Sequence, residues 1–475
     1  MSGGTGLEQI SSGIAGLDSI LNGGFILGRM YLVRGSPGTG KSLLGQHFLA
    51  EGLANDETVV YIHGEETKQD IINNSRQLGI DVSGAHFLDL GPETEFFTEN
   101  ISYDLVDPSD IESEGFMDEI KDVINGYDPS RIFLDPITQL RHMESDYYQY
   151  RKRLLALMRF LRKRNTTVLT SRTRSDEDLD EQIESLTDGI IDLSYDRGSH
   201  RIEVPKHRGV GQHPGSHGME IRSAGIEVFP QLLPTPERTF DPAVLSSDIP
   251  ALDELLGGGI ERGSVTFISG PTGVGKTTVG THFPVAAAER GEQAVVYLFE
   301  ENAEQYCYRS ERLNLPMSDL RESEDIIVRE IEPLVRSAEE VAQMIRSDVD
   351  RYDPSVVMLD GLAGYKVAIH GEEERLIDRL HALTRSLKNQ GIAVLVMDEM
   401  SHLKGIPTAT STNTSYIADN VILLTYREQT GGLSHIIGVL KKRLGEFESQ
   451  FRPFEIVDRE GVRVGEPLED VENVL

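Results

Sequence analysis

The fold of this chain is decided by residues 35–42, which read GSPGTGKS, and by a second copy at residues 270–277, which reads GPTGVGKT. Both segments have the spacing Gly-x4-Gly-Lys-Ser/Thr, in which glycines let successive backbone N–H groups turn inward around phosphate oxygens. A short apolar run precedes each segment, and a helical pattern follows it. A strand, a glycine-rich loop and a helix in this order predict a phosphate-binding loop.

The two loops belong to a longer internal repeat. The segment SSGIAGLDSILNGG at residues 11–24 returns as SSDIPALDELLGGG at residues 246–259, and the loops keep the same offset of 235 residues. A duplicated unit of this length is a domain. The repeat predicts a first domain at residues 1–235 and a second at residues 236–475, joined by a proline-rich extended linker.

Within each copy, short apolar runs alternate with helical patterns. Residues 131–134 in the first copy and 393–397 in the second are examples of these runs. Near-continuous apolar strands indicate a sheet that is covered on both faces, and alternation with helices indicates parallel pairing. The expected fold class is α/β, with two tandem P-loop domains that each contain a mostly parallel sheet covered by helices.

Each loop predicts a site for ATP and Mg²⁺, because its lysine can reach the β- and γ-phosphates and the hydroxyl after it can bind the metal. The expected nucleotide-binding residues are Gly35, Ser36, Pro37, Gly38, Thr39, Gly40, Lys41, Ser42, Gly270, Pro271, Thr272, Gly273, Val274, Gly275, Lys276 and Thr277. The expected Mg²⁺ ligands are these hydroxyls together with an Asp that ends a later apolar strand: Ser42, Thr277, Asp135 and Asp360.

Two pairs of adjacent acids recur at the offset of the repeat. They are Glu65-Glu66 and Glu300-Glu301, and each pair follows the strand after a phosphate loop. Ligands of open parallel sheets bind at that edge, where a carboxylate can accept a proton from an attacking water or hydroxyl. The four glutamates are therefore candidate catalytic acids, although a solvated acidic pair would give the same pattern in so acidic a chain.

Two cationic pairs, Lys206-x-Arg208 and Lys441-x-Arg443, also recur at this offset in a chain that has 12 lysines. Residues two apart on a strand point to the same face. Two such cations can stabilise the charge on a γ-phosphate, either in the same chain or, as arginine fingers, in a neighbouring subunit. The alternative is a surface charge pair on an edge strand.

The composition limits the choice of partners. The 475 residues include 78 acidic and 46 basic ones, which gives a formal net charge of −32. This balance predicts a surface adapted to high salt, or a merely acidic protein, and disfavours non-specific binding to DNA. The single cysteine, Cys307, excludes an intramolecular disulfide and fits a reducing cytoplasm. We expect neither a signal peptide nor a membrane span.

Taken together, the GLDSILNGG segment, the two loops, the Glu-Glu pairs, the strand-end Asp residues and the K-x-R pairs resemble the KaiC family of tandem RecA-like ATPases. The acid-rich composition adds the expectation of an archaeal, halophilic member. The resemblance implies a homohexameric double ring with ATP at the subunit interfaces. It also implies that the glutamate pairs are catalytic and that the K-x-R pairs touch the phosphate of the neighbouring subunit.

The resemblance further implies a Ser/Thr autokinase in the second domain and a signalling or regulatory role with a protein partner. Aligning ADNVILLTY at residues 418–426 with the family puts the phosphoacceptor pair at Ser415 and Tyr416, where the family has Ser and Thr. Ser415 is therefore the candidate phosphorylation site. A Ser/Thr-rich loop with a purely structural role is the alternative.

Two other functions share this fold core. A RecA/RadA-like recombination or repair ATPase would need a DNA-binding surface, and the most basic segments are RKRLLALMRFLRKR and RSLKNQG. A nucleotide-gated scaffold that binds a transcription factor or sensor kinase is compatible with slow ATP hydrolysis.

Overall fold

The computed structural model describes residues 7–91, 108–138, 147–173, 184–196, 198–232, 243–368, 373–399, 416–429 and 432–469. The chain divides into two compact units, Met1–Gln231 and Leu232–Leu475. The proline-rich linker expected between the domains lies mostly outside the described residues, which exclude residues 233–242.

The first unit is built from eleven described strands and five described helices. The strands are Gln9–Ile10 (β1), Phe25–Ile26 (β2), Met30–Gly35 (β3), Val59–His63 (β4), His86–Asp89 (β5), Arg131–Asp135 (β6), Thr167–Thr173 (β7), Gly189–Asp196 (β8), Ser199–His207 (β9), Ser216–Arg222 (β10) and Gly225–Phe229 (β11). The helices are Ala15–Ile20 (α1), Lys41–Ala54 (α2), Lys68–Gln77 (α3), Pro108–Tyr127 (α4) and Tyr147–Lys163 (α5).

The second unit repeats this order of strands. They are Val244–Leu245 (β12), Ile260–Glu261 (β13), Val265–Gly270 (β14), Ala294–Leu298 (β15), Ile326–Glu330 (β16), Val356–Asp360 (β17), Ala393–Glu399 (β18), Asn420–Gln429 (β19), Gly432–Lys442 (β20), Arg452–Val457 (β21) and Gly461–Val464 (β22). The described helices are Pro250–Leu255 (α6), Lys276–Glu289 (α7), Ala303–Arg312 (α8), Met317–Glu322 (α9), Ala338–Tyr352 (α10), Leu362–Ala368 (α11) and Glu373–Asn389 (α12).

Each unit has one nine-stranded sheet, and the two sheets have the same topology. The order is β5-β4-β6-β7-β3-β8-β9-β10-β11 in the first unit and β16-β15-β17-β18-β14-β19-β20-β21-β22 in the second. The first six strands of each order pair in parallel, and the last three extend the sheet as an antiparallel meander. The strand that enters the phosphate loop, β3 or β14, lies at the centre of its sheet.

Both faces of each sheet are buried, as the apolar strands require. On β3, Tyr31 and Val33 pack into one core cluster while Met30 and Leu32 pack into another on the opposite face. The second unit likewise has two core clusters. Successive side chains of a strand point to opposite faces, so a strand that is apolar at every position needs helices on both sides. The predicted fold class, two tandem α/β P-loop domains, is confirmed.

Candidate functional site

The phosphate loops connect the central strand of each sheet to the helix that follows it. Gly38 and Gly40 have φ angles of 80° and 94°, and Gly273 and Gly275 have φ angles of 78° and 100°. Glycine adopts this left-handed conformation without steric cost, which lets the backbone curl tightly before the helix begins. Helices α2 and α7 then begin at the loop lysines, with their N-terminal N–H groups next to the curl.

The two loop lysines make matching contacts with their own loops. Lys41 Nζ donates hydrogen bonds to the carbonyl oxygens of Gly35 (3.0 Å) and Ser36 (2.9 Å). Lys276 Nζ donates to those of Gly270 and Pro271, both at 2.9 Å. Burial lowers the pKa of each ammonium group. The ammonium groups are therefore partly desolvated, which strengthens their attraction for a phosphate.

In the second unit the two expected metal ligands are in contact. The hydroxyl of Thr277 donates a 3.0 Å hydrogen bond to Asp360 Oδ1. Asp360 is 8% exposed, and burial raises its pKa to about 7, with the hydrogen bond from Thr277 opposing that rise. Loss of solvent disfavours the charged form of a carboxyl group. A cation bound next to Asp360 would favour the ionised form of its carboxyl group, which burial disfavours.

In the first unit the equivalent carboxylate has other partners. Asp135 Oδ2 accepts a 3.2 Å hydrogen bond from the hydroxyl of Tyr61, and Asp135 Oδ1 accepts one from Ser171. Ser42 lies at the start of α2, as Thr277 does at the start of α7. The described part of the chain holds no group of three or more His, Cys, Asp or Glu residues that would bind a metal alone. One hydroxyl and one carboxylate per site do suit Mg²⁺, which takes its other ligands from phosphates and water.

The glutamate pairs lie just past the strand next in sequence to the phosphate loop. The second member of each pair is held by α3 or α8: Arg309 forms a 2.6 Å ion pair with Glu301, and Asn74 forms a 3.4 Å hydrogen bond with Glu66. Burial raises the pKa of Glu301, the Arg309 guanidinium opposes that rise, and the neighbouring Glu300 carboxylate adds to it. Arg309 and Asn74 stand at equivalent positions of the repeat, so the second unit has a cation where the first has an amide.

A cleft of about 340 Å³ joins these residues in the second unit. Its lining includes the phosphate loop, Glu300, Arg309, Asp360 and Glu399. A Cβ atom on Gly361 would lie 2.9 Å from Glu300 Oε1, so Glu300 packs directly beside the metal-side Asp360. The structure thus brings the loop, the Asp and the first glutamate of the pair together at the carboxyl edge of the sheet.

Sequence reasoning missed Arg309 and Glu399. Arg309 could have been found by comparing equivalent positions of the repeat, because it replaces Asn74 at the 235-residue offset. Glu399 gives no such signal, because its place beside the loop depends on β18 pairing with β14.

The K-x-R pairs are not brought to the phosphate loop of their own unit. Lys206 on β9 pairs with Ile190, and the backbone N–H of Arg208 bonds the carbonyl of Asp188, at the amino end of β8. The loop begins at the other end of the neighbouring parallel strand, where Gly35 pairs with Leu193. Five residues of strand, roughly 16 Å, separate the two edges. Lys441 and Arg443 lie in the same way on and after β20.

A cationic pocket of about 240 Å³ surrounds Arg443 at this amino edge. Its polar lining includes His381, Arg385, Lys388 and Tyr416. Asp419, which is fully buried, accepts from Lys388 Nζ at 2.6 Å and from Arg443 Nη1 at 3.1 Å. The carboxylate fixes the two cations in place without neutralising the whole pocket.

The candidate phosphorylation site Ser415 lies outside the described residues, which resume at Tyr416. The side chain of Tyr416 is 51% exposed. Among the described residues, no helix is both long enough and apolar enough to cross a membrane.

Known proteins resemble this chain over nearly its whole length. Residues 10–232 and 245–469 each match the family described as ATPase: KaiC. The chain is 26% identical to circadian clock protein KaiC3 of Synechocystis sp., over 99% of this chain and 94% of that protein. It is also 26% identical to the circadian clock oscillator protein KaiC of Synechococcus elongatus, over 99% of this chain and 91% of that protein. Two family matches that together span most of the sequence, on two units of the same topology, show that this chain belongs to the KaiC ATPase family.

Proposed function

We propose that each unit binds ATP with Mg²⁺ and hydrolyses it. The observation that carries this proposal is the second-unit cleft, where Lys276, the Thr277–Asp360 pair and Glu300 line one cavity. Bound Mg²⁺ would neutralise charge on the β- and γ-phosphates. The loop N–H groups, the start of α7 and Lys276 would hold the phosphates in line for attack.

The two glutamates of a pair would have different roles. Glu301 is tied to Arg309 by an ion pair, whereas Glu300 lies on the cleft beside Gly361. We assign Glu300, and Glu65 in the first unit, as the base that accepts the proton of the attacking water while the bond to the γ-phosphate breaks and ADP leaves. Glu301 and Glu66 would orient the segment that carries the base.

The K-x-R pairs support self-assembly, with nucleotide between subunits. Each pair lies at the opposite edge of the sheet from its own loop, so a γ-phosphate that it contacts would belong to another subunit. Lys206, Arg208, Lys441 and Arg443 would then stabilise the transferring phosphoryl group in trans, as arginine fingers do. The family resemblance implies a homohexamer for this arrangement.

We also propose that the second unit transfers phosphate to Ser415 and that the protein acts in the cytoplasm in a regulatory role, with a signalling partner. Tyr416 next to the cationic pocket supports the first point, because that pocket is where the phosphate of a neighbouring subunit would lie. A hydroxyl on the adjacent segment would compete with water for the γ-phosphate.

A DNA-processing role has less support. In the most basic segment of the first unit, Arg162 bonds both oxygens of Asp188 and Arg164 bonds Asp128. These guanidinium groups are paired within the unit, which leaves less positive charge for a nucleic acid.

The test is one incubation of the full chain with γ-labelled ATP and Mg²⁺ in molar KCl, following label into free phosphate and into protein. Label in free phosphate that depends on Mg²⁺ supports the ATPase. Label in protein that is lost in Ser415→Ala supports the autokinase, and label in protein that survives this substitution contradicts Ser415 as acceptor. Absence of both products would overturn the proposal.

A further inference from the structure

The two phosphate loops differ at a pair of positions that touch. In the second unit the hydroxyl of Thr272 donates a hydrogen bond to the carboxylate of Glu399. The equivalent positions of the first unit hold Pro37, which has no side-chain donor, and Thr173, which has no charge.

The strand register establishes that Glu399 and Thr173 occupy equivalent positions of the two sheets. Gly270, the first loop residue, pairs with Glu399 at the end of β18, and Gly35 pairs with Thr173 at the end of β7. The same register position beside the loop therefore carries a carboxylate in the second unit and a hydroxyl in the first. Because donor and acceptor change together, the contact is a feature specific to the second unit.

Glu399 also acts on the loop lysine. The carboxylates that oppose the burial-lowered pKa of Lys276 are, from strongest to weakest, Glu399, Glu300, Asp360 and Asp398. For Lys41, the carboxylates that oppose the effect of burial on the pKa are Asp135 and Glu65. The loop ammonium group thus has more carboxylates acting on it in the second unit, and Glu399 is the strongest of them.

A phosphate that binds Lys276 would compete with Glu399 for the ammonium group. It would then remain in the same cleft as that carboxylate. Glu399 is exposed and lines this cleft, so its negative charge repels that of the phosphate across a solvent-accessible space. This repulsion would act most on the γ-phosphate, because the loop lysine reaches that group and because it carries the charge that ATP has in addition to ADP.

We propose that Glu399 is a specificity-determining residue that weakens the binding of nucleoside triphosphate relative to diphosphate at the second site. This inference rests on the proposed nucleotide binding by both units. It makes the second site the one that releases or exchanges its triphosphate more readily, and it gives the two halves of the repeat different ATP/ADP preferences.

The test is a calorimetric titration of the full chain with Mg-ATP and, separately, with Mg-ADP. The affinity that disappears in Lys276→Ala belongs to the second site. We expect Glu399→Gln to tighten ATP binding at this site by about tenfold and ADP binding by less than about threefold, because the amide keeps an acceptor for Thr272 and removes only the charge. Glu399→Asp, which keeps the charge, should leave the ratio of the ATP and ADP affinities unchanged.

The matched control is the reverse change in the first unit. Thr173→Glu combined with Pro37→Thr should weaken ATP binding at the site that disappears in Lys41→Ala, again by about tenfold. Equal effects of Glu399→Gln on ATP and ADP, or no effect on either, would overturn the inference while nucleotide binding itself stood. Failure of the unsubstituted chain to bind any nucleotide would overturn the proposed function and this inference together.

Discussion

Thr277 and Asp360 are joined by a 3.0 Å hydrogen bond between one hydroxyl and one carboxylate oxygen, and the carboxyl group is buried. Burial raises the pKa of Asp360 to about 7. Below this pH the group is neutral and a poor ligand for Mg²⁺, and above it the group is an anion. Protons and a bound Mg²⁺ would therefore compete for Asp360 within the physiological range.

We predict that the Mg²⁺-dependent part of nucleotide affinity at the second site rises about tenfold from pH 6 to pH 8, as the carboxyl group goes from mostly protonated to mostly ionised. Nucleotide titrations with and without Mg²⁺ across this range would measure it. Asp360→Asn serves as the control, because it cannot ionise and should remove the dependence. An unchanged pH profile in this variant would show that another group titrates.

Removing both loop lysines should abolish nucleotide binding. Lys41→Ala with Lys276→Ala deletes the two ammonium groups that contact the loops and would contact the phosphates, so we expect affinity and hydrolysis to fall by at least about 100-fold. Filter binding and phosphate release would measure the two effects. Each single variant should lose one of two sites, and undiminished hydrolysis by the double variant would refute the site.

The two glutamates of a pair should respond differently to the same substitution. In a chain carrying Lys41→Ala, we expect Glu300→Gln to lower the rate of ATP hydrolysis by about 100-fold while nucleotide stays bound, because the proton acceptor is lost. Glu301→Gln breaks an ion pair with Arg309 at the edge of the cleft and should lower the rate by less than about tenfold. Equal losses in the two variants would contradict the division of roles.

Mixing inactive variants tests whether Arg443 acts on another subunit. Arg443→Ala and Lys276→Ala should each inactivate the second site, yet an assembly formed from equal amounts of both chains contains interfaces with an intact loop and an intact arginine. Random mixing predicts that about a quarter of the second-site activity returns, over the unchanged activity of the first unit. A mixture as inactive as its two parts would mean that the arginine serves its own chain.

The net charge of −32 predicts dependence on salt. Because repulsion between surface carboxylates is screened by ions, we expect the melting temperature to fall by at least about 10 °C when KCl is reduced from 2 M to 0.1 M. Circular dichroism melts would measure it. A melting temperature that is independent of salt would leave the acidic composition without a role in stability.

The elements closest to the chemistry could be predicted from the sequence because their signals are local. Loop glycines, the flanking strand and helix, and the Asp at the end of β6 or β17 each follow from a short pattern. Each of these patterns occurs once in each copy of the repeat, which strengthens its interpretation. The α/β class followed for the same reason, since alternate positions of each central strand feed two separate cores.

What the sequence did not reveal depends on the order of strands. Glu399 lies 123 residues after Lys276 and comes to the loop only because β18 is the neighbour of β14. Likewise, the distance between a K-x-R pair and its own loop follows from the pairing of β9 with β8 and of β8 with β3. No local pattern encodes these neighbours, because they follow from which edges of apolar strands meet during packing.

The separation of loop and K-x-R pair across each sheet has a geometric consequence. If the cations complete the site of a neighbour, each unit carries two complementary half-sites at opposite edges of its sheet, and two copies related by a twofold axis would pair identical edges and leave both sites incomplete. Only a head-to-tail contact matches a loop to a cation, and repeating that contact must either close a ring or continue as a filament. The rate of ATP hydrolysis per chain should then fall steeply on dilution, because each subunit that dissociates would leave one incomplete site in each of the two units.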